Sequence, residues 1–347
     1  MSEDYAFNIA VYAMTHVGMV RSGNEDNFLV LNLTTADTWT PAKVHDEPAP
    51  HLTTFPQSHY GSLLAVSDGM GGALAGEVAS HHAIECVRDR MLELQASPTY
   101  ARIPYHERLR LSVELANLYI HQMSLRRSEY AGMGATFTAA GLFGTTAYFA
   151  QVGDSRAYLI RGGRIQKVTR DQSLVEQLLA AGHITPEEAE RHTYKNVILQ
   201  ALGASPSVNV VVDRVELRDL DIILLCSDGL TSSSKSNWLK PEEMVQLIDH
   251  SHSLKEACET LVEMANRRGG EDNITVLVAQ VTNGKLLPPD TDGRAETLPL
   301  DGPAHPQDRW GAETIPRDPS LPYEVDLDLV DDEEETIPPT EKLTSDS

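Results

Sequence analysis

Basic residues, aromatics and cysteines are all scarce in this chain. Only 28 Lys and Arg stand against 51 Asp and Glu in 347 residues, a formal net charge of −23. Such an excess gives no electrostatic grip on nucleic acid or on an anionic membrane. Cysteine occurs three times, at Cys86, Cys226 and Cys258, each in a mostly apolar stretch and far from the others. A reduced, cytoplasmic setting fits that usage, with a disulfide left open as the alternative. None of the three has Arg six positions on, so the thiolate-plus-arginine loop of cysteine-dependent phosphate chemistry is missing. No apolar run reaches the length of about eighteen residues that a spanning helix needs. Met1 to Ala10 carries Glu3 and Asp4 and has no basic region followed by an apolar one, the pattern of an export leader.

What remains is enough apolar sequence for one large domain or two ordinary ones. Apolar alternation around Ile9 and Val11, then Phe28, Val30 and Leu33, predicts two strands. Thr35 to Tyr60, broken by Pro41, Pro48, Pro50 and Pro56, reads as an exposed loop or long hairpin extension. Helices are predicted over Ala75 to Gln95 and Tyr105 to Arg127, then a meander of four strands over Ala135 to Thr169. Short helices at Ser173 to Gly182 and Pro186 to His192 come next, with Thr185, Pro186 and Glu188 forming a capping box. Strands over Val208 to Leu217 and Asp221 to Cys226, helices over Pro241 to Ser251 and Leu254 to Arg267, and a strand over Ile274 to Val281 complete the pattern. Helices arriving in pairs between groups of antiparallel strands predict an α+β fold, a four-layer α-β-β-α sandwich, rather than a doubly wound sheet.

Residues 284–347 differ in kind. They hold ten of the nineteen prolines and 17 acidic against 5 basic residues, with Trp310 and Tyr323 as the only aromatics. The division expected is therefore a folded domain over 1–283 and an acidic, Pro-rich, disordered tail over 284–347. Within the tail one phrase recurs: Glu-Thr-Leu-Pro at Glu296 to Pro299, then Glu-Thr-Ile-Pro at Glu313 to Pro316 and Glu335 to Pro338. Its threonines, Thr297, Thr314 and Thr336, are candidate kinase targets that would dock a phosphothreonine-reading partner such as a forkhead-associated domain. A plain solubilising linker is the competing reading.

Five segments place an Asp in a Gly- or Asn-marked turn: RSGNEDN (Arg21 to Asn27), SDGMGG (Ser67 to Gly72), VGDSR (Val152 to Arg156), SDGL (Ser227 to Leu230) and GGEDN (Gly269 to Asn273). Three are fed directly by apolar runs, so Asp68, Asp154 and Asp228 sit at strand ends. Singly, each is an ordinary turn dipeptide. Gathered at one rim the carboxylates would repel, and no Lys or Arg lies within five positions of Asp68 or Asp228. Divalent cations would remove that penalty. Oxygen donors without His or Cys favour Mg²⁺ or Mn²⁺ over Zn²⁺. The glycines from Gly69 to Gly72 lack the Lys and the spacing of a nucleotide loop, and His81 and His82 lack a zinc-type partner.

In this order, and with GMGAT (Gly132 to Thr136), DQSLVEQLLAAGHITPEEA (Asp171 to Ala189) and NVILQALG (Asn196 to Gly203), the segments resemble the bacterial branch of the metal-dependent protein phosphatases of type 2C, from about Thr15 to Val281. The resemblance implies two antiparallel sheets between helix layers and hydrolysis of phosphoserine and phosphothreonine on proteins by a metal-activated water. It also implies two core Mn²⁺ or Mg²⁺ ions and a weaker third. Carried over residue by residue, Asp26, Asp68, Asp228 and Asp272 are core metal ligands and Gly69 offers its carbonyl. Glu25 is an outer acid holding metal-bound water, Asp154 shares a third ion with Asp228, and Arg21 grips phosphate. Asp171 to Leu202 is expected to be a mobile flap. The sequence departs from the pattern at Met70, where many members carry a His general acid, at Ser232, where another Asp is common, and at Gln172 and Gln200. Phosphorylated proteins and the Ser/Thr kinases that make them are the implied partners. The rival class is a weakly catalytic phosphatase-like sensor, which would be expected to lack some of Arg21, Asp26, Asp68, Asp228 and Asp272.

Overall fold

A computed structural model describes residues 7–41, 48–57, 59–71, 73–97, 102–232, 237–284, 286–289 and 293–300. Contacts divide the chain into a unit Met1–Leu300 and a second unit, Asp301–Ser347, which lies outside the described residues. In chain order the elements are strands β1 (Phe7–His16), β2 (Asp26–Asn32) and β3 (Thr38–Trp39), helix α1 (Pro50–Thr53), strands β4 (Thr54–Pro56) and β5 (Ser62–Met70), and helices α2 (Ala73–Ala96) and α3 (Tyr105–Arg126). Strands β6 (Gly134–Ala135), β7 (Phe137–Phe143), β8 (Thr146–Val152), β9 (Arg156–Arg161) and β10 (Arg164–Lys167) follow, then helices α4 (Leu174–Ala180) and α5 (Pro186–Glu190). The last elements are β11 (Val211–Glu216), β12 (Ile222–Cys226), α6 (Asp228–Thr231), α7 (Pro241–His250), α8 (Leu254–Arg267), β13 (Ile274–Gly284) and β14 (Leu298–Pro299).

All strand pairs are antiparallel, in two sheets: β10-β9-β12-β13-β1-β4, and β14-β11-β8-β7-β5-β2-β3 with β6 beside β5. Helices α2 and α3 cover the second sheet, and α7 and α8 the first. The four-layer arrangement is the one expected. It also accounts for strands that read as continuous apolar runs. In β12, Ile223 and Leu225 enter the core between the sheets, whereas Leu224 and Cys226 pack under α7 and α8 with Met244, Ile248 and Leu261. A strand buried on both faces has no polar face to alternate with. Helix α8 starts where Ser253 Oγ accepts the Glu256 amide at 3.1 Å, and the capping box of α5 forms on Thr185 and Glu188 as predicted.

Three local expectations change. The proline-rich stretch is not simply an exposed loop: β3 pairs with β2, β4 pairs with β1, and Trp39 and Phe55 are buried in the central core. The meander is split, because β7 and β8 lie in one sheet and β9 and β10 in the other. The Gly153 turn, at φ 95°, carries the chain across. The compact unit also runs past 283. Leu286 and Ala295 join the core, β14 adds an edge strand to β11, and the Leu300 amide donates to the Val212 carbonyl at 2.8 Å. Buried Arg110 reaches the Leu300 carbonyl, and buried Arg161, paired with Asp221 at 2.7 Å, reaches that of Arg294. The first Glu-Thr-Leu-Pro phrase is thus strand-paired, with Gln166 Nε2 donating to Thr297 Oγ1 at 3.3 Å. The second and third phrases lie outside the described residues. No helix among the described residues is long and apolar enough to cross a membrane.

Candidate metal centre

Strand ends from both sheets deliver the candidate carboxylates to one edge of the sandwich. Asp26 opens β2 directly opposite Asp68 in β5, in register. Asp154 follows β8, Asp228 follows β12, and Asp272 precedes β13. The sheets are tied together here by hydroxyls. Ser227 Oγ donates to Asp26 Oδ2 at 2.6 Å and accepts the Thr275 amide at 2.9 Å, and the Thr275 hydroxyl lies 2.7 Å from that of Thr15. On the other side, Thr136 Oγ1 accepts the Asp68 amide at 2.9 Å and contacts the Ser155 hydroxyl at 2.7 Å.

Asn273 is the residue that sequence reasoning passed over. Its Oδ1 accepts the Glu25 amide at 2.8 Å, and its Nδ2 donates to the carbonyls of Val17 and Gly23, both at 2.9 Å. One amide side chain therefore fixes the loop between β1 and β2 against the start of β13. Gly69 and Gly76 allow close approaches that a side chain would block. A Cβ on Gly69 would stand 2.0 Å from the Gly76 carbonyl oxygen, and one on Gly76 would stand 2.1 Å from Glu25 Oε2. The Glu25 carboxylate is thereby laid against the first turns of α2.

The electrostatics of this edge are costly. Asp26 is 5% exposed; burial pushes its pKa up to about 7, against the hydrogen bonds from Ser227 and Thr275, with Asp228 and Asp272 adding to the rise. Burial raises Asp154 to about 8 and Asp228 to about 6, with Asp228 repelling the former and Asp272 the latter. Asp68 is raised well above the ordinary carboxylate range by burial and then by Asp26, Asp228, Asp154 and Asp272, and burial also raises Glu25. Two arginines offset part of this cost. Arg21 Nη2 holds Asp272 at 2.8 Å, and Arg156, which is bound to Asp171 at 2.7 Å, draws Asp154 and Asp228 down. Asp26 Oδ1 is buried with no hydrogen-bond partner.

Clustered carboxylates, an all-oxygen donor set and one orphaned buried oxygen fit divalent cations. Among the described residues, no three His, Cys, Asp or Glu side chains gather closely enough to hold an ion by themselves. Ions that keep several waters, as Mg²⁺ does, need only one or two carboxylates each, so the spread is compatible with the chemistry. Arg21, Met70, Ser232 and Gln172 are placed by the following contacts. Arg21 makes its bond through one nitrogen and is 47% exposed, leaving donors accessible. Met70 pairs with Gly134 of β6, and the Ser232 amide donates to the Asp228 carbonyl at 2.7 Å. The expected flap is rooted beside Asp154: Gln172 exchanges bonds with Gly153, and Leu199 donates to the Gln172 carbonyl at 2.8 Å.

Comparison with known proteins points the same way. A family model described as protein phosphatase 2C matches residues 52–275. The serine/threonine phosphatase stp of Listeria welshimeri is 38% identical over 218 residues, covering 63% of this chain and 84% of the relative. The protein phosphatase PhpP of Streptococcus pneumoniae is 36% identical over 220 residues, covering 63% and 86%. A crystal structure of the catalytic domain of the serine threonine protein phosphatase PstP in complex with two manganese ions superposes with a TM-score of 0.61 at 30% identity, covering 80% of this chain and all of that one.

Proposed function

The chain belongs to the protein phosphatase 2C family and is a protein serine/threonine phosphatase; on that premise we propose that Asp26, Asp68, Asp228 and Asp272, with the Gly69 carbonyl, hold two Mn²⁺ or Mg²⁺ ions. The observation that carries this reading is the set of strand-end carboxylates that both sheets deliver to one edge, around the buried, partnerless Asp26 Oδ1. The manganese pair in the PstP structure supports it. When bound, such ions supply Lewis-acid charge for the phosphoryl oxygens and a nucleophilic water at neutral pH.

The chain's own residues do the rest. Arg21, anchored by Asp272, offers its remaining donors to two phosphate oxygens, a fork that fits a phosphomonoester dianion. Glu25, fixed by Asn273 and wedged against Gly76, accepts a hydrogen bond from water at the edge of the site. Asp154 and Asp228, which repel each other, are the carboxylates for a weaker third ion, which Ser232 helps only as a neutral hydroxyl. With Met70 in place of a proton donor, the departing Ser or Thr oxygen takes its proton from solvent. We assign phosphorylated proteins as substrates, with the Ser/Thr kinases that make them as the opposing activity, and a cytoplasmic setting, which three free thiols support.

Hydrolysis of p-nitrophenyl phosphate with and without Mn²⁺ tests the reading. Asp228→Asn should lose most turnover while keeping its circular dichroism, and Arg21→Ala should raise KM far more than it weakens Mn²⁺ binding. Near-normal turnover of Asp228→Asn at low Mn²⁺ would overturn the ligand set, and an unchanged KM in Arg21→Ala would overturn the phosphate grip.

A further inference from the structure

Met19 and Val20, the two residues before Arg21, are 67% and 69% exposed, and they are the one consecutive pair of exposed large apolar side chains among the described residues. Single exposed apolar residues are ordinary, but an adjacent pair beside a functional site is not scatter. The turn that presents them is held rigidly. The Met19 amide donates to the Gly270 carbonyl at 2.8 Å, the Gly18 amide to His16 Nδ1 at 2.9 Å, and Asn273 clamps the Val17 and Gly23 carbonyls on either side. Gly18, at φ 82°, sits so close to the Asp272 carbonyl that a Cβ would meet it at 2.1 Å. Met19 Cγ lies over Gly270, where an added Cβ would stand 2.8 Å away. Neither apolar side chain is exposed because its backbone is loose.

We propose that Met19 and Val20 form a fixed apolar platform that reads the residues flanking the phosphoserine or phosphothreonine, so that the enzyme favours phosphoprotein sites with an apolar neighbour. This rests on Arg21 as the phosphate grip. Consecutive Cα atoms lie about 3.8 Å apart, so the backbone of Val20 and Met19 starts within about 8 Å of that of Arg21, a span comparable to two residues of an extended peptide at about 3.4 Å each. A phosphate held by Arg21 therefore brings the peptide's adjacent side chains within reach of the two apolar ones. The loop's immobility means that little ordering entropy opposes the contact.

The test compares two phosphothreonine peptides differing only at the flanking positions, Leu or Ile in one and Gln in the other, so that net charge is constant. The readout is the ratio of their kcat/KM values. Wild type should favour the apolar peptide by about tenfold, equivalent to ~1.4 kcal/mol. Met19→Ser/Val20→Ser should bring the ratio close to one, and Met19→Leu should restore most of it. An unchanged ratio, or equal losses on both peptides and on p-nitrophenyl phosphate, overturns the platform. So does a double variant that loses self-association while keeping the ratio, which would assign the pair to a contact between copies. If instead Arg21→Ala leaves KM unchanged for every substrate, the phosphate grip itself fails, a result separable from loss of selectivity alone.

Discussion

Replacing the buried Asp26 with Asn separates what this site costs the fold from what it does. With a folded-state pKa near 7 against an ordinary 3.8, ionised Asp26 opposes folding at pH 8 by up to about 4 kcal/mol. Its near-isosteric amide removes the charge and keeps an oxygen to accept from Ser227 Oγ. The new N–H₂ must find a partner where Oδ1 had none, which returns about 1–3 kcal/mol of the gain. The metal-free variant should therefore be more stable than wild type by about 1–3 kcal/mol, a Tm rise of about 2–5 °C for a unit of this size. Because the folded protein holds this proton more tightly than the unfolded chain, the penalty is absent below about pH 4, grows up to about pH 7 and is full above it. Metal-free wild type should consequently gain stability as pH falls from about 8 to about 6, and Asp26→Asn should gain less. Mn²⁺ should reverse the ranking, since a ligand at a hundred times its Kd adds about 2.7 kcal/mol only to a protein that binds it. Thermal melts in EDTA and in Mn²⁺ at two pH values measure all of this alongside turnover. A metal-free variant less stable than wild type, or equal stabilisation of both by Mn²⁺, refutes the reasoning.

Other substitutions probe the scaffold. Gly76→Ala favours α2 by helix propensity but drives a methyl into Glu25 Oε2, so turnover should fall at least tenfold while the Tm moves little, as paired kinetic and thermal assays would record. A chain ended at 300 should keep activity and Tm, whereas one ended at 283 strips the carbonyls from buried Arg110 and Arg161 and should melt several degrees lower. Arg161→Met should cost about 3–5 kcal/mol in denaturant unfolding by leaving Asp221 buried and unpaired, and adding Asp221→Asn should recover part of the loss.

The sequence located six helices of this fold to within a few residues, α7 and α8 because each presents one apolar face to a sheet, and missed the four-residue α1 and α6; it found most strands because β12 and β13 are apolar enough to be recognised without alternation. It failed where pairing is decided at a distance. Trp39 and Phe55 lie among prolines, and nothing local reveals that β3 and β4 each finish an edge of a sheet. The turn at Gly153 looks like any hairpin turn, although it carries the chain from one sheet to the other. Residues 286–300 have the composition of a linker and are nonetheless held, since the two arginines that fasten them belong to α3 and β9.

The candidate site follows the same division. Its acids were legible because each sits in a short turn signature after an apolar run, and a carboxylate at a strand end announces itself locally. The groups that make those acids a site were not legible by spacing. Asn273 is separated from Glu25 by 248 positions and Ser227 from Asp26 by 201, and each bond joins one sheet to the other. Arg156 relieves Asp228 although no cation lies near Asp228 in sequence. All three were nonetheless inside the segments that marked the acids: Asn273 beside Asp272, Ser227 beside Asp228, Arg156 two after Asp154. A neutral side chain adjacent to a strand-end acid has a reason to be there, since the acid's own backbone must be anchored before its charge can be positioned. In this fold that anchor reaches to the opposite sheet, so the register that fills the core with Ile223, Leu225 and Leu277 also sets the separation of the carboxylates. Disturbing either should be felt in both.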